Sequence, residues 1–185
     1  MPDTLSASLA EALQAARQAR GLSVNALAER SGVSRAMIAK VERREAQPTA
    51  VLLARLAAAL GMTLSEFVTR AEDGAGRLVR AADQPTWTDP ASGYRRRSVS
   101  PAGGRPRELV EIELPPGTRV AFPPLTYELV HQQIWVLDGH LSLHEGDTVH
   151  ELDAGDCLQM GPSAPREYIN PTDRVCRYLV ALTRR

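Results

Sequence analysis

The chain of 185 residues is long enough for two domains, each with its own buried core. It contains no run of about 20 uninterrupted apolar residues, and Met1 to Ala10 lack the basic segment and apolar run of a secretion signal. These features argue against a membrane-spanning or secreted protein. We therefore expect a soluble, cytoplasmic one.

The net charge of zero hides an uneven distribution of charged residues along the chain. Residues 1–70 carry nine Lys or Arg against six Asp or Glu, residues 71–107 carry seven against four, and residues 108–185 carry six against twelve. A basic front joined to an acidic back favours a nucleic-acid reader fused to a domain that avoids nucleic acid.

The first 70 residues show helical periodicity and the residue types that begin and end helices. Leu9, Leu13 and Ala16 have helical spacing, and Gly21 follows where the first helix should stop. Five helices are predicted, over residues 6–20, 24–31, 35–43 and 50–60, with a last one after a capping box formed by Thr63 and Glu66.

A turn of only three residues, 32–34, separates the second and third predicted helices, so the two must cross steeply. Ser34 is the expected N-cap of the third helix. Ile38 and Val41 should face the core, and the opposite face is small and basic, with Arg35, Ala36, Ala39, Lys40 and Arg43. This face is either a nucleic-acid contact or an ordinary solvated helix face.

Residues 21–49, GLSVNALAERSGVSRAMIAKVERREAQPT, and the following LARLAAALGMTLSEF resemble the phage-repressor or XRE-type helix-turn-helix family, over residues 5–68 in all. The resemblance implies that the third helix enters the major groove of a double-stranded DNA operator with its N-terminus first. It places Arg35, Ala36, Ala39 and Lys40 at bases, and Ser34, Asn25, Arg43 and Arg44 near the sugar-phosphate backbone. It also implies that Arg17 and Glu42 form a structural ion pair inside the domain.

Residues 71–92 are rich in turn formers and are predicted to be a linker with a strand that leads into a second domain. Trp87 lies in this stretch. We interpret it as an anchor packed on that domain rather than as a functional residue.

From Tyr94 onward, short β-rich runs alternate with turns that contain Pro or Gly. Nine strands are predicted, in the runs YRRRSVS, RELVEIEL, TRVAF, QIWVL, HLSLH, TVHEL, DCLQM, REYIN and RVCRYLVAL. So many strands in about 90 residues favour a barrel or double-sheet fold.

The runs QIWVLDGHLSLHEG and HELDAGDCLQMGPSAPREYIN resemble the cupin family, and the resemblance covers residues 93–183. The fold class we predict is therefore a two-domain α + β protein: an all-α five-helix helix-turn-helix bundle over residues 1–70 and an all-β cupin jelly-roll barrel over residues 93–185. The resemblance implies that the barrel senses a small effector and commonly forms the dimer interface.

Many cupins hold a metal with two histidines, a glutamate and a later histidine. Counting from the family's glycines, Gly139 and Gly155, places those positions at Leu125, Tyr127, Gln132 and Arg166. A leucine cannot ligate and a guanidinium repels a cation, so we expect no metal, no other cofactor and no catalytic residue.

An arginine that points into a barrel needs a compensating negative charge. One interpretation is an internal ion pair of Arg166 with Glu128, Glu167 or Asp156. The other is that Arg166, with Gln132 and Tyr127, binds the acidic group of a small effector. The remaining predicted ligand contacts are Leu125, Trp135 and Tyr168.

Cys157 and Cys176 both fall in predicted strands, where a free thiol acts as a small hydrophobe, and a disulfide or redox role is the less favoured alternative. The four histidines, His131, His140, His144 and His150, all lie in the second half. We interpret them as surface residues, with a displaced metal site as the alternative.

Taken together, these features predict a sequence-specific DNA-binding regulator that acts as a homodimer and responds to a small, acidic effector. Two alternatives stay open. One is a cupin-type metalloenzyme that the helical domain only localises, and the other is a ligand-binding or protein-interaction module that does not read DNA sequence.

Overall fold

A computed structural model describes residues 4–69, 77–101 and 107–184 of the chain. Within these ranges five α-helices are followed by ten β-strands. The helices are α1 (Thr4–Gln18), α2 (Val24–Ser31), α3 (Arg35–Glu42), α4 (Ala50–Ala59) and α5 (Leu64–Thr69). The strands are β1 (Thr86–Thr88), β2 (Arg95–Ser98), β3 (Arg107–Leu114), β4 (Arg119–Phe122), β5 (Val130–Asp138), β6 (His140–Glu145), β7 (Thr148–Asp153), β8 (Cys157–Gln159), β9 (Arg166–Ile169) and β10 (Cys176–Arg184).

The helices begin where the capping residues of the sequence place them. The Ser23 and Ser34 hydroxyls accept hydrogen bonds from the backbone N–H groups of Ala26 and Met37, and each therefore satisfies one of the unpaired donors of a first helical turn. Thr63 and Glu66 form the predicted capping box, with backbone-to-side-chain distances of 2.9 Å in both directions. The first helix both begins and ends two residues earlier than expected, at Thr4 and Gln18.

The strands form two sheets that pack as the predicted double-sheet barrel. One sheet has the order β1-β2-β3-β10-β5-β8 and the other β4-β9-β6-β7. All nine predicted strands are present, and β1, which contains Trp87, pairs antiparallel with β2. Trp87 is buried, as expected of an anchor.

The barrel core comes from alternate residues of the strands, since successive side chains of a strand point to opposite faces. Along β3, Val110, Ile112 and Leu114 are buried, and Ile134 and Val136 of β5 join them from across the sheet. The two-domain α + β fold class is thereby confirmed. The domain limits 1–70 and 93–185 stay predictions, and residues 71–76 of the predicted linker lie outside the described residues.

The two cysteines differ in their surroundings. Cys176 is buried, and burial raises the pKa of its thiol to about 11, so it acts as a small hydrophobe as predicted. The same expectation is wrong for Cys157, which is exposed. Its strand, β8, lies at the edge of the six-stranded sheet, and Cys157 lies opposite Trp135 of β5.

The helical part and the barrel are in contact. Helix α4 packs against β4 and against a 3-10 turn, Pro124–Tyr127. Arg184, near the end of β10, donates to Glu66 of α5 at 2.7 Å. None of the helices in the described ranges is long and apolar enough to cross a membrane.

Candidate nucleic-acid interface and barrel cavity

Helix α3 presents the small, basic face that the sequence indicates. Arg35, Ala36 and Lys40 are exposed and Ala39 is half-buried, whereas Ile38 and Val41 are fully buried. Ser34, the N-cap, is exposed too, so the first turn of the helix and its N-terminal N–H groups are accessible. The structure thus brings the predicted base-contacting residues together on one accessible face.

The predicted backbone-contacting residues flank this face. Asn25 is exposed in the first turn of α2, and Arg43 and Arg44 are exposed where α3 ends. Each arginine has an intramolecular partner, because Arg43 pairs with Glu45 and Arg44 pairs with Glu11. The carboxylates hold the guanidinium groups beside this face of α3, and all four side chains are at least half exposed.

Arg17 and Glu42 form the structural pair that the family resemblance implied. Two hydrogen bonds, of 2.7 and 2.8 Å, join the guanidinium to the carboxylate. The side chains are only 12% and 10% exposed. The hydrogen bond to Glu42 raises the pKa of Arg17 although partial burial opposes this. The pair fixes α1 to the last turn of α3.

Arg55 of α4 holds the turn between α2 and α3, a role that the sequence reading missed. Its guanidinium donates to the backbone carbonyls of Ser31 and Gly32 at 3.0 and 2.9 Å. Gly32 has a φ of 64°, a conformation that glycine adopts without strain. The sequence feature that could have indicated this role was a basic residue in the middle of a helix rich in Ala and Leu.

Three of the four positions at which the family holds its metal lie together in the barrel. Arg166 of β9 donates to Gln132 at 3.1 Å, and its guanidinium carbon lies 4.1 Å from the centre of the Tyr127 ring. The Arg166 side chain is 2% exposed and pairs with Glu145 at 2.8 Å. An internal ion pair is therefore present, but the expected partners were wrong, because sequence position alone did not show that Glu145 of β6 lies opposite Arg166 in the sheet.

The other predicted ligand contacts have different outcomes. Tyr127, Gln132 and Tyr168 line one cavity inside the barrel. Leu125 lies in the adjacent 3-10 turn and is not among the lining residues. Trp135 points away from the interior and is 48% exposed, so its placement with the ligand contacts was wrong. Ile134 and Val136 occupy the inward positions of β5, and alternation therefore sends Trp135 outward.

This barrel cavity has about 80 Å³ of space that the centre of a water-sized molecule can reach, and it is open to solvent. Its walls are mostly aromatic and aliphatic, and Tyr168 stacks on Tyr178 with 6.0 Å between ring centres. Burial raises the pKa of Tyr127, Tyr168 and Tyr178, so their hydroxyls remain protonated donors at neutral pH. The lining residues are Thr63, Leu64, Tyr94, Arg96, Val110, Ile112, Phe122, Thr126, Tyr127, Val130, Gln132, Tyr168, Tyr178, Val180 and Leu182.

Arg96 is the basic residue of this cavity, and the sequence reading missed it. It is 4% exposed on β2, and its guanidinium donates to Ser98 at 3.3 Å. Burial lowers its pKa, although the nearby Tyr94 and Glu108 act in the opposite direction. The signal was the alternation Tyr94, Arg96, Ser98, which puts the middle of three consecutive arginines on the inner face.

The residues at the family's metal positions do not fit a metal ion. Tyr127 and Gln132 accompany a cationic Arg166 that already binds a carboxylate, and a guanidinium repels a cation. In the described ranges no group of three His, Cys, Asp or Glu side chains could hold one either. Three of the histidines lie beside carboxylates instead: His140 beside Asp153 and Glu151, His144 beside Glu167, and His150 beside Glu145.

Comparisons with known proteins agree with this division into two parts. A family model described as helix-turn-helix matches residues 13–67, and one described as cupin domain matches residues 110–182. The HTH-type transcriptional regulator SutR of Escherichia coli (strain K12) is 24% identical over an aligned length of 182, and the alignment covers 95% of this chain and 94% of that protein.

Several solved structures are similar over nearly the whole chain. The HTH_3 family transcriptional regulator from Vibrio cholerae has a TM-score of 0.80 and 24% identity, with 98% of each chain covered. FeII HppE covers 96% of this chain and 98% of its own at 17% identity, with a TM-score of 0.48, a likeness too distant to bear on activity.

The fold and the matched regions define a transcriptional regulator with a helix-turn-helix domain and a cupin domain. The chain thus carries an XRE-type helix-turn-helix domain in its N-terminal part and a cupin domain in its C-terminal part.

Proposed function

We propose that this regulator binds double-stranded operator DNA sequence-specifically, as a homodimer, and that a small effector in its barrel changes operator affinity. The observation that carries the proposal is the exposed first turn of α3, which is capped by Ser34 and carries Arg35 and Lys40 on one face. A helix of this shape and charge fits the major groove, where its first turn reaches the base edges.

The individual residues have distinct roles in the proposed complex. Arg35 donates two hydrogen bonds to a guanine, which discriminates against other bases by about 1 to 3 kcal/mol. Lys40 contacts the next bases, and the small Ala36 and Ala39 allow close approach. Arg43 and Arg44 exchange their exposed carboxylate partners for phosphates, which adds affinity without sequence preference.

The outer face of the six-stranded sheet supports the homodimer. Trp135 lies between Leu179 and Cys157 on neighbouring strands, and Leu109 pairs with Ala181 one step along the sheet. Trp135 and Leu109 are 48% and 40% exposed. Such a contiguous apolar stripe favours association. Charges of both signs lie beside it, on Arg97, Arg177 and Glu111. A two-fold contact between identical surfaces needs both signs, because each surface meets a copy of itself.

The side chains inside the barrel support a sensing role. The positions that hold metal in many cupins carry an arginine that pairs with a carboxylate, and the cavity beside them is lined by neutral aromatic and aliphatic groups and one buried arginine. Such a cavity is suited to binding a small molecule rather than to metal-assisted chemistry. We therefore propose that the protein is not an enzyme and that its effector shifts the population of DNA-binding states.

Selection of DNA fragments from a genomic pool tests the proposal. The full-length protein should enrich fragments that share two half-sites about ten base pairs apart. Arg35→Ala should lose or change this shared sequence. Arg119→Ala is the matched control, because it removes an exposed arginine from the barrel, and it should select the wild-type sequence. If the wild-type protein enriches no common sequence, the proposed function is wrong.

A further inference from the structure

The barrel cavity lies where the two domains meet. Thirteen of its fifteen lining residues belong to the barrel, and the other two, Thr63 and Leu64, stand at the start of α5 in the helical domain. On the barrel side, Thr126 and Tyr127 line it from the 3-10 turn that packs against α4. A molecule in the cavity therefore touches two of the elements through which the barrel and the helical domain are in contact.

The arginines around the cavity already have carboxylates near them. Arg96 lines the cavity and is buried, and the negative charge of Glu108 acts on it. Arg166, against the Tyr127 ring, is paired with Glu145 at 2.8 Å. A further carboxylate inside the barrel would give this region an uncompensated negative charge, and burying such a charge is costly. The electrostatics of the walls therefore favour an uncharged occupant.

Two neutral polar side chains of the walls are suited to a hydrogen bond with such an occupant. The Thr126 hydroxyl is buried and has no hydrogen-bond partner among the described residues, which is uncommon in native proteins. Rotation about χ1 exchanges the hydroxyl and the methyl group of a threonine, so this hydroxyl can reach the cavity without backbone movement. Gln132 accepts from Arg166 with its side-chain oxygen at 3.1 Å, and the other end of its amide carries two N–H donors.

The rest of the wall is apolar or aromatic and encloses a small space. It consists mainly of Val, Ile, Leu, Phe and Tyr side chains. The centre of a water-sized molecule can reach about 80 Å³ of the cavity, whereas a dry cavity of roughly 150 Å³ holds one benzene molecule. A molecule of one ring therefore lies partly in the cavity and partly in its opening to solvent.

We infer that the barrel cavity binds an uncharged, single-ring molecule with one hydrogen-bonding oxygen, such as a phenol, an aryl alcohol or a cyclic ketone. The oxygen binds Thr126 and Gln132, and the apolar body contacts Leu64. The effector site of the proposed function is thereby refined, and the regulatory meaning of the site rests on that function. The acid that the sequence predicts at Arg166 is disfavoured, because that side chain is 2% exposed and already paired with Glu145.

The contacts of α5 carry the effect of binding into the helical domain. The Thr63 hydroxyl caps α5, and the Glu66 carboxylate both closes the capping box and accepts from Arg184 of the barrel. Helix α5 in turn packs against α1 and α4. An occupant that presses on Thr63 and Leu64 therefore acts on an element that joins the two domains.

Calorimetry with the full-length protein tests the charge of the occupant. The uncharged probes are phenol, benzyl alcohol and cyclohexanone, and their anionic counterparts are benzoate and cyclohexanecarboxylate. We expect at least one uncharged probe to bind at least tenfold more tightly than either anion. If no uncharged probe binds, or if an anion binds within tenfold of the tightest of them, the inference is wrong.

Thr126→Val tests the hydrogen-bonding group, because it removes the hydroxyl and keeps a branched side chain. It should weaken the bound probe at least about threefold. The melting temperature of the free protein should stay the same or rise, because an unpaired buried hydroxyl is removed. Thr148→Val is the matched control, since Thr148 is exposed on β7 and does not line the cavity, and it should keep the wild-type affinity. Unchanged probe affinity or a lower melting temperature in Thr126→Val would contradict the role of this hydroxyl.

Substitutions in the helical domain test its contribution to the site. Leu64→Trp should weaken the bound probe at least tenfold, because the larger side chain takes up space in the cavity. Leu52→Trp is the matched control, because Leu52 is a half-buried leucine of the same domain that does not line the cavity, and it should leave probe binding unchanged. Equal probe affinity in the wild-type and Leu64→Trp proteins would contradict the contact with α5.

Hydrogen exchange provides a readout that is independent of DNA. Addition of the tightest uncharged probe should slow exchange of the α5 amides in the wild-type protein, and unchanged exchange there would contradict the inference. The proposed function fails separately. Loss of operator selection with probe binding intact would refute the DNA-reading role alone, whereas operator selection without probe binding would refute this inference alone.

Discussion

Arg44 adopts a backbone conformation that is costly for an arginine. Its φ is 62°, and it is the one described residue other than glycine with a positive φ. The N–H groups of Arg44 and Glu45 close a Schellman motif on the carbonyls of Val41 and Lys40, and the position Arg44 occupies is usually glycine. A strained residue beside the exposed basic face of α3 is typical of a functional position.

We therefore expect Arg44→Gly to raise the free energy of unfolding by about 0.5 to 1 kcal/mol. The same change should weaken DNA binding and lower the salt dependence by about one phosphate contact. Urea unfolding and fluorescence anisotropy at several salt concentrations measure the two effects. Arg44→Ala is the control, because it loses the charge but keeps the strain, and unchanged stability in Arg44→Gly would contradict the account.

The pair Arg17–Glu42 should contribute to stability rather than to sequence preference. Glu42→Gln leaves the nearly buried Arg17 without its carboxylate and should lower the free energy of unfolding by about 2 to 4 kcal/mol. Glu45→Gln breaks the exposed pair with Arg43 and should cost under about 1 kcal/mol. Equal losses for the two variants in urea unfolding would contradict this interpretation.

At the scale of elements, capping and periodicity were enough to predict the helices and nine strands. Ser23, Ser34, Thr49 and Thr63 all cap helices as expected, because a cap depends on residues within three positions along the chain. Arg96 was missed and Trp135 was misplaced for a different reason. Which face of a strand points inward depends on the packing of the two sheets, which the local sequence indicates only through alternation.

The partner of Arg166 could not be predicted from the sequence, because the order in which strands pair was not known. Glu145 is 21 residues away and belongs to β6, which pairs with β9 so that Glu145 and Arg166 stand opposite each other. Sequence predicted both strands but not their order in the sheet. Pairing order depends on the closure of the whole barrel, so no local pattern could single out Glu145 among the twelve acidic residues from Glu108 onward.

The hairpin of β6 and β7 carries a pH-dependent contact. His140 lies 2.7 Å from Asp153 and 2.8 Å from Glu151, and hydrogen bonds to these two carboxylates raise its pKa above the usual value of 6.5. A raised pKa in the folded state means that the contribution to stability is complete below the unfolded pKa and is lost as the pH rises through the folded pKa.

Melting temperatures measured from roughly pH 6 to pH 9 test this contact, because histidine titrates in that range. Over this pH range the free energy of unfolding should fall more in the wild-type protein than in His140→Gln. The difference between the two falls should be under about 1 kcal/mol, because the contact is partly solvated. His131→Gln, at an exposed histidine of β5, should behave like the wild type. A constant difference between wild type and His140→Gln at every pH would contradict the prediction.

At the scale of the whole molecule, the outer face of the six-stranded sheet is expected to join two copies. Trp135→Glu places a charge in the middle of the apolar stripe and should convert the dimer to a monomer in sedimentation equilibrium. Val149→Glu is the matched control, since Val149 is 52% exposed on β7 in the other sheet, and it should remain dimeric. A dimer that survives Trp135→Glu would place the interface elsewhere.

Arg35 on α3 is expected to read a base of the operator, and fluorescence anisotropy measures this contact. Wild-type and Arg35→Ala proteins are titrated with the selected duplex and with the same duplex carrying adenine in place of the contacted guanine. The wild-type protein should lose about tenfold in affinity, equivalent to about 1.4 kcal/mol, on this exchange. Arg35→Ala should bind both duplexes equally, and the same loss in both proteins at every guanine of the half-site would contradict the claim.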